Sequence, residues 1–292
     1  MQAVFHLGAH GTDDGRLVRC LVRSRGLLEA EGVSVPTPLR YRKLLRETLA
    51  RLRGGETDAE TRAAIMEAVL DDGPRPGRLI LSGDSFLGIA SRAVTGGRLY
   101  PAARRRAAGL ANLFPEDACE FHIAIVHPAA LLTALLARPD ADEIAAALEG
   151  TDPAALRWTP VVAALCEAVP DARIVVWCHE DAPLIWPEVL RTLIGRPRFP
   201  ALDGEGELVD GLLTPEGRAE LARRLAPLGP GDIAARRAAV ADCLTSHALP
   251  GALDIPLALP GLEADAVARL TEAYEAELAD IATFPGVEVI RP

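Results

Sequence analysis

Short apolar runs alternate along this chain with longer stretches in which apolar residues recur three and four positions apart. The runs fall at residues 3–7, 78–82, 120–126, 173–178 and 287–290. Most are near-continuously apolar rather than alternating, the pattern of strands buried on both faces of a parallel sheet. The longer stretches put Leu17, Leu21 and Leu28, then Ile65, Val69 and Leu70, then Val161, Leu165 and Val169 on helical faces. This alternation predicts an α/β fold: a doubly wound, mainly parallel sheet of about five strands flanked by helices. Residues 3–7 belong in its interior and residues 13–31 form the helix that follows. From 215 to 282 the pattern is largely helical.

Turn residues mark the boundaries. Gly32 ends the first helix, and Pro36 and Pro38 prevent its resumption. Gly54-Gly55-Glu56-Thr57 separates two helices, with Asp58 as the N-cap of the second. Asp71-Asp72-Gly73-Pro74-Arg75-Pro76-Gly77 is the clearest turn. Residues 196–211, rich in proline and glycine, read as a boundary or mobile loop. The chain shows no internal repeat, and a single domain over residues 1–292 with a helical C-terminal portion is the expectation.

Composition narrows the function classes. A formal net charge of −10 argues against a general binder of nucleic acid or of anionic membranes. Hydrophobic content of 49% argues against disorder. No apolar run approaches the ~18–20 residues of a membrane span, and no charged-then-apolar leader opens the chain. A soluble, cytoplasmic protein is expected. Cys20, Cys119, Cys166, Cys178 and Cys243 are scattered, with no C-x-x-C pair. They suit neither a disulfide framework nor a zinc site, and read as small apolar core residues. Trp158, Trp177 and Trp186 are too dispersed for a stacking platform and also read as core.

The chemistry concentrates where the first run ends, at Ala3-Val4-Phe5-His6-Leu7-Gly8-Ala9-His10-Gly11-Thr12-Asp13-Asp14-Gly15-Arg16-Leu17. A glycine-punctuated loop between strand and helix aims a helix N-terminus, with its unpaired N–H groups and positive dipole end, at an anion. This segment resembles the phosphosulfate-binding loop of sulfotransferases that use 3′-phosphoadenosine 5′-phosphosulfate (PAPS), written H-x-G-x-H-K-T-G-T-T in the bacterial branch. His6, Gly8, His10 and Thr12 match, and Leu17 fits an apolar position further on. Gly11 replaces the lysine, Asp13 the second glycine, and Asp14-Gly15 the two threonines. Lys43 is the only lysine of an arginine-rich chain. A drift from lysine to arginine would have put arginine at 11, whereas glycine removes the cation.

The resemblance extends further. Phe121 to Pro128 resembles the strand ending in Arg-Asp-Pro or Arg-Asn-Pro, whose arginine, with a later serine, grips the 3′-phosphate of the donor. Here Val126 and His127 take the first two positions, Pro128 is kept, and Ala134 falls near the serine, beside Thr133. Residues 173–181 resemble the strand that runs into a Glu-Asp pair, here Glu180-Asp181, and 274–287 resemble the closing helix with its Pro-Gly-Val ending. The resemblance implies a P-loop-type fold, PAPS or its product as cofactor, no metal, and a hydroxyl or amine acceptor on a small molecule or glycan. It assigns Gly8, Gly11, Thr12 and Gly15 to the donor. Arg16, Arg98 or the cluster Arg104-Arg105-Arg106 would replace the lost cations, although three adjacent charges on a helix read equally as a solvated face.

For the acceptor side, Asp84 in Ser82-Gly83-Asp84-Ser85 follows the second strand, at the edge where α/β sheets hold ligands. It reads as a base toward an acceptor hydroxyl or as the cap of a short helix. His10, in the loop, is the second catalytic candidate, and the two should face each other across one cleft. His6 reads as a hydrogen-bonded core histidine or as a base, and His179 and Glu180 as lining or solvated loop. Gly8, Gly11 and Gly15 do not spell G-x-G-x-x-G, which excludes a Rossmann dehydrogenase. Three readings remain: a sulfotransferase with rebuilt donor contacts, a non-catalytic relative, and a transferase with a less anionic donor.

A loop aspartate ~6 Å from a phosphate costs about 3 kcal/mol at an effective dielectric near ~20, roughly a hundredfold in affinity. The helix dipole returns only about 0.3–1 kcal/mol. Weak or absent binding of adenosine 3′,5′-bisphosphate in calorimetric titration is therefore expected, and Gly11→Lys, Asp13→Gly and Asp14→Thr together should raise it.

Overall fold

The computed structural model describes residues 1–53, 55–70, 74–255, 257 and 263–292. Of the turns read above, Gly54 and residues 71–73 lie outside them. The strands are β1 (Gln2–Leu7), β2 (Val33–Ser34), β3 (Arg78–Gly83), β4 (Val94–Thr95), β5 (Arg98–Leu99), β6 (Ala118–Ile125), β7 (Arg173–Cys178) and β8 (Val287–Ile290). Six form one sheet, in the order β2-β3-β1-β6-β7-β8, with every pairing parallel; β4 and β5 make a separate antiparallel pair. The fold is α/β, with β1 in the sheet interior. The sixth strand of the sheet is β2, a two-residue edge strand squeezed between Gly32 and Pro36, too short to show a period.

The helices are α1 (Arg16–Arg23), α2 (Arg25–Ala30), α3 (Pro38–Leu52), α4 (Ala59–Leu70), α5 (Ala103–Ala111), α6 (Pro128–Leu136), α7 (Ala141–Leu148), α8 (Thr159–Ala168), α9 (Ala182–Ile194), α10 (Glu207–Asp210), α11 (Pro215–Leu225), α12 (Ile233–His247) and α13 (Ala264–Ile281). One correction concerns the first of them. The helix read over 13–31 begins at Arg16 and is interrupted at Ser24. It does not resume after Gly32, and Pro38 opens a new helix, α3, where a missing N–H costs nothing. Gly32 does end α2, with φ +72° and its N–H on the Glu29 carbonyl, and the Asp58 carboxylate accepts from the Thr61 N–H at 2.6 Å, capping α4. The stretch 196–211 carries α10, and its Glu205 pairs with the buried Arg191 at 3.2 Å.

Each strand serves two cores. Ala3, Phe5 and Leu7 face a large core with residues of α3 to α6, α8 and α13, while Val4 faces a second core built from α1 and α9. A third, small cluster joins α10, α11 and α12. All three tryptophans are buried, as are Cys20, Cys178 and Cys243, and burial pushes the Cys20 and Cys178 thiols up to about 12. No helix among the described residues is long and apolar enough to cross a membrane.

One polar group interrupts the second core. Glu120 on β6, 1% exposed, accepts from Gln2 Nε2 at 2.8 Å, Arg78 Nη2 at 2.7 Å, Arg173 Nη1 at 2.5 Å and His122 Nε2 at 2.9 Å. Burial pushes its carboxyl up, but the hydrogen bonds from His122 and Arg78 outweigh this and hold it at about 2. Burial likewise pushes His122 down to about 4.

Glu120→Ala would strand Arg78 beside the core and should cost about 3–5 kcal/mol in urea denaturation at pH 7. His122 is neutral in the fold, whereas the unfolded chain takes a proton near 6.5, the ordinary imidazole value. The unfolded state then binds more protons, so stability should fall as pH drops from about 6.5 toward 4, and fall again as Glu120 protonates. His122→Gln should flatten the first phase in denaturation midpoints measured against pH.

Candidate functional site

From β1 the chain passes to the edge strand β2, returns to β3 beside β1, and then crosses to β6 on the other side of β1. The strand order therefore reverses at β1, the place where open α/β sheets form a crevice at their carboxyl edge. A cleft of about 550 Å³ opens there. The β1–α1 loop supplies Gly8 to Gly15, β3 and its following turn supply Ser82 and Asp84, and His6 lies at the floor. Gly8 lets the first loop approach the second: its N–H bonds the Gly83 carbonyl at 3.1 Å, and a Cβ there would sit 3.2 Å from Asp84 Cα.

Cations also line the cleft: Arg42, Lys43 and Arg46 from α3, Arg138 beyond α6, and Arg19 from α1, which bonds the Asp14 carbonyl at 2.8 Å. Positions 42, 43 and 46 fall on one helix face through their three- and four-residue spacing. Arg42 Nε bonds the Ser82 carbonyl at 3.1 Å, and its Nη1 lies 4.0 Å from Asp84 Oδ1. None of the cations named from the sequence lines the cleft. Arg16 is exposed on α1, Arg98 is exposed on β5, and Arg104 pairs with Glu167 on α8 at 3.4 Å. The spacing in α3 was the readable signal, but only the fold brings that face to this edge.

His10 and Asp84 meet in this cleft. The His10 backbone N–H donates to the Tyr100 hydroxyl at 3.0 Å, and that hydroxyl also lies 3.0 Å from His10 Nδ1, the two rings stacking 6.0 Å apart. Burial holds Tyr100 protonated and pushes His10 below its ordinary range, with the Asp84 charge acting in the opposite direction. Burial thus favours the neutral imidazole at His10. Asp84 is 62% exposed. Because the chain after β3 makes turns and no α-helix before α5, the helix-cap reading of Asp84 falls away.

The loop that resembles a phosphosulfate site is occupied by its own side chains. Asp13, 8% exposed, accepts the Leu17 N–H on Oδ2 at 2.8 Å, and its carbonyl takes the Arg16 N–H at 2.9 Å. The first amides of α1 are therefore satisfied from within the chain. Thr12 Oγ1 turns back to the Ala9 carbonyl at 2.7 Å. Gly11, at φ +74°, is pressed against α6, and a Cβ on it would lie 2.6 Å from Ala134 Cβ. Lysine at 11 is thus sterically barred. Asp14, at φ +50°, has a backbone that β-branched threonine disfavours. The triple restoration of lysine, glycine and threonine expected above does not suit this backbone.

The second family-like motif is also internally paired. Val126 is buried, and its carbonyl accepts Trp158 Nε1–H at 2.7 Å. His127 caps α6 through Nδ1, which accepts the Ala129 N–H, and its Nε2 meets Thr271 Oγ1 at 3.1 Å. Glu180 accepts the His127 N–H at 2.7 Å and the Tyr274 hydroxyl at 3.1 Å. It serves as a structural brace, and neither Glu180 nor His179 lines the cleft.

No group of histidine, cysteine and carboxylate side chains among the described residues suits a metal ion. Comparison of the chain with protein-family models, curated proteins and solved structures finds no match.

Gly11→Ala should cost about 1–3 kcal/mol in denaturant titration, from overlap with Ala134 and from the left-handed backbone. Adding Ala134→Gly should recover the overlap component and leave the backbone component, a partial rescue that identifies the contact.

Proposed function

We propose that the cleft binds a ligand carrying a sulfate or phosphate ester. On this reading the protein is sulfotransferase-like, with the donor's charges met by Arg42, Lys43, Arg46 and Arg138 instead of a loop lysine. The observation that carries the reading is the convergence of these cations on the same cleft as Asp84 and His10. In-line sulfuryl transfer asks little covalent chemistry of a protein. It needs the acceptor oriented, its proton removed, and the charge on the leaving phosphate neutralised. Asp84 is placed to take a proton from a hydroxyl or amine acceptor on a small molecule or glycan. A ring N–H of His10 donates to an anionic oxygen, and the α3 cations stabilise the leaving group.

A second reading, a binding module without transfer, draws on Asp13. Its carboxylate holds the Leu17 amide in the first turn of α1, where a donor phosphate would bind, and Val126 offers nothing to a 3′-phosphate. Turnover separates the two: with PAPS and a panel of phenolic and sugar acceptors, the first reading expects sulfated product and the second none.

Both readings require the anion site. Adenosine 3′,5′-bisphosphate should bind weakly in calorimetric titration, and the double variant Arg42→Ala, Arg46→Ala should lose about tenfold or more, ~1.4 kcal/mol. Asp13→Asn with Asp14→Asn keeps an oxygen to cap α1 and removes two negative charges, and should raise affinity about tenfold. Binding unchanged by either pair would remove the cleft from consideration.

A further inference from the structure

The cationic wall and Asp84 leave one cluster on the cleft floor without a role. Ser82 and His6 are register partners on β3 and β1, and His6 and His122 are register partners on β1 and β6. All three are almost fully buried, yet Ser82 and His6 still line the cleft. Ser82 Oγ lies 2.9 Å from His6 Nδ1, and His122 Nε2 lies 2.9 Å from Glu120 Oε1. Two ring nitrogens have no partner, His6 Nε2 and His122 Nδ1, and they belong to neighbouring side chains on one face of the sheet.

Glu120 resolves which way the protons point. As an ionised carboxylate it only accepts, so His122 Nε2 carries a hydrogen and His122 Nδ1 is a bare lone pair. A lone pair in a dry interior calls for a donor, and the other orphaned nitrogen on this face of the sheet is Nε2 of its register partner His6. With its proton on Nε2, turned toward His122 through one bridging water, His6 keeps Nδ1 bare and accepts the Ser82 hydroxyl proton. The Ser82 backbone is fixed by Tyr41, whose hydroxyl accepts from its N–H at 2.8 Å and donates to its carbonyl at 2.9 Å. His6 is held flat against Trp177, with ring centres 5.9 Å apart.

We infer that Ser82 and His6 form a nucleophile–base pair on the floor of the cleft, oriented from behind by His122 and Glu120. Its substrates are sulfonyl- or phosphoryl-type electrophiles. Attack forms a bond from Ser82 Oγ to sulfur or phosphorus and breaks the bond to the leaving group, which departs with the electron pair. The Ser82 proton passes to His6 Nδ1, and the resulting imidazolium is stabilised along the line to the Glu120 carboxylate. Arg42, beside Ser82, faces the charge that develops on the sulfonyl or phosphoryl oxygens. Burial keeps His6 neutral near pH 7, against the pull of Asp13, so the accepting lone pair is present. This site shares the cleft and Arg42 with the anion reading above, but it requires neither Lys43, Arg46 and Arg138 nor a nucleotide.

An arylsulfonyl fluoride of small cross-section tests it, with intact-mass and peptide-mapping readout. One adduct is expected, on Ser82 and not on Ser85. None is expected in Ser82→Ala, and at least a tenfold slower reaction is expected in His6→Asn with its thermal midpoint checked alongside. Long-range proton–nitrogen spectra should show His6 and His122 both as Nε2–H tautomers near neutral pH. An unlabelled Ser82 in the natural protein, labelling at the natural rate in His6→Asn, or an Nδ1–H tautomer at either histidine overturns the proposal. Adenosine 3′,5′-bisphosphate titration of Ser82→Ala keeps this result separate: retained binding with lost labelling leaves the anion site intact.

Discussion

The buried carboxylate of Glu120 is the constraint on which the rest of this sheet depends. Strands that are apolar on both faces specify register poorly, because a slip of two residues preserves their pattern. Glu120 removes that freedom. It takes donors from Gln2 on β1, Arg78 on β3, His122 on its own strand and Arg173 on β7, and Arg173 reaches onward to Glu288 on β8. Arg78 also closes the C-terminal end of α9, bonding the Leu193 carbonyl at 2.6 Å. Removing a carboxylate from water is costly, so such a cluster is better explained by the alignment it imposes than by net stabilisation. Alignment at the amino edge fixes where the strands stop at the other edge, and with it the spacing of the loops around the cleft.

At that other edge, positions that would meet a ligand in the family pattern are filled by the chain itself. Asp13 occupies the helix amides, Ala134 fills the space beside Gly11, and His127 is spent on capping α6. Three of the cations that line the cleft lie on α3. Ligand charge would thus be met by flexible side chains on one helix rather than by a rigid ring of backbone amides.

Most of the architecture was legible in the chain because strands buried on both faces leave an unbroken apolar run. The run at 173–178 coincides with β7, whereas β2 is invisible at two residues. Pro38 serves twice, because a proline that stops one helix is also at home in the first turn of the next. The site was half legible. Asp84 and His10 follow strands, and strand ends converge by topology alone. Arg42, Arg46 and Arg138 carry no local signature of a site, since a basic helix face reads as solvated until the sheet shows what it faces. Tyr100, whose hydroxyl holds the His10 ring and backbone, is 90 residues away in sequence.

The Asp13 carboxylate has a thermodynamic consequence. Loops that wrap a diffusible anion are ordered only while the anion is bound, and their proteins gain stability by mass action as its concentration rises. Here the counter-anion is tethered two residues before the helix, at an effective concentration set by the covalent chain. The loop is therefore assembled whether or not nucleotide is present, and the folding equilibrium of this protein is insulated at that point from the metabolic state of its surroundings.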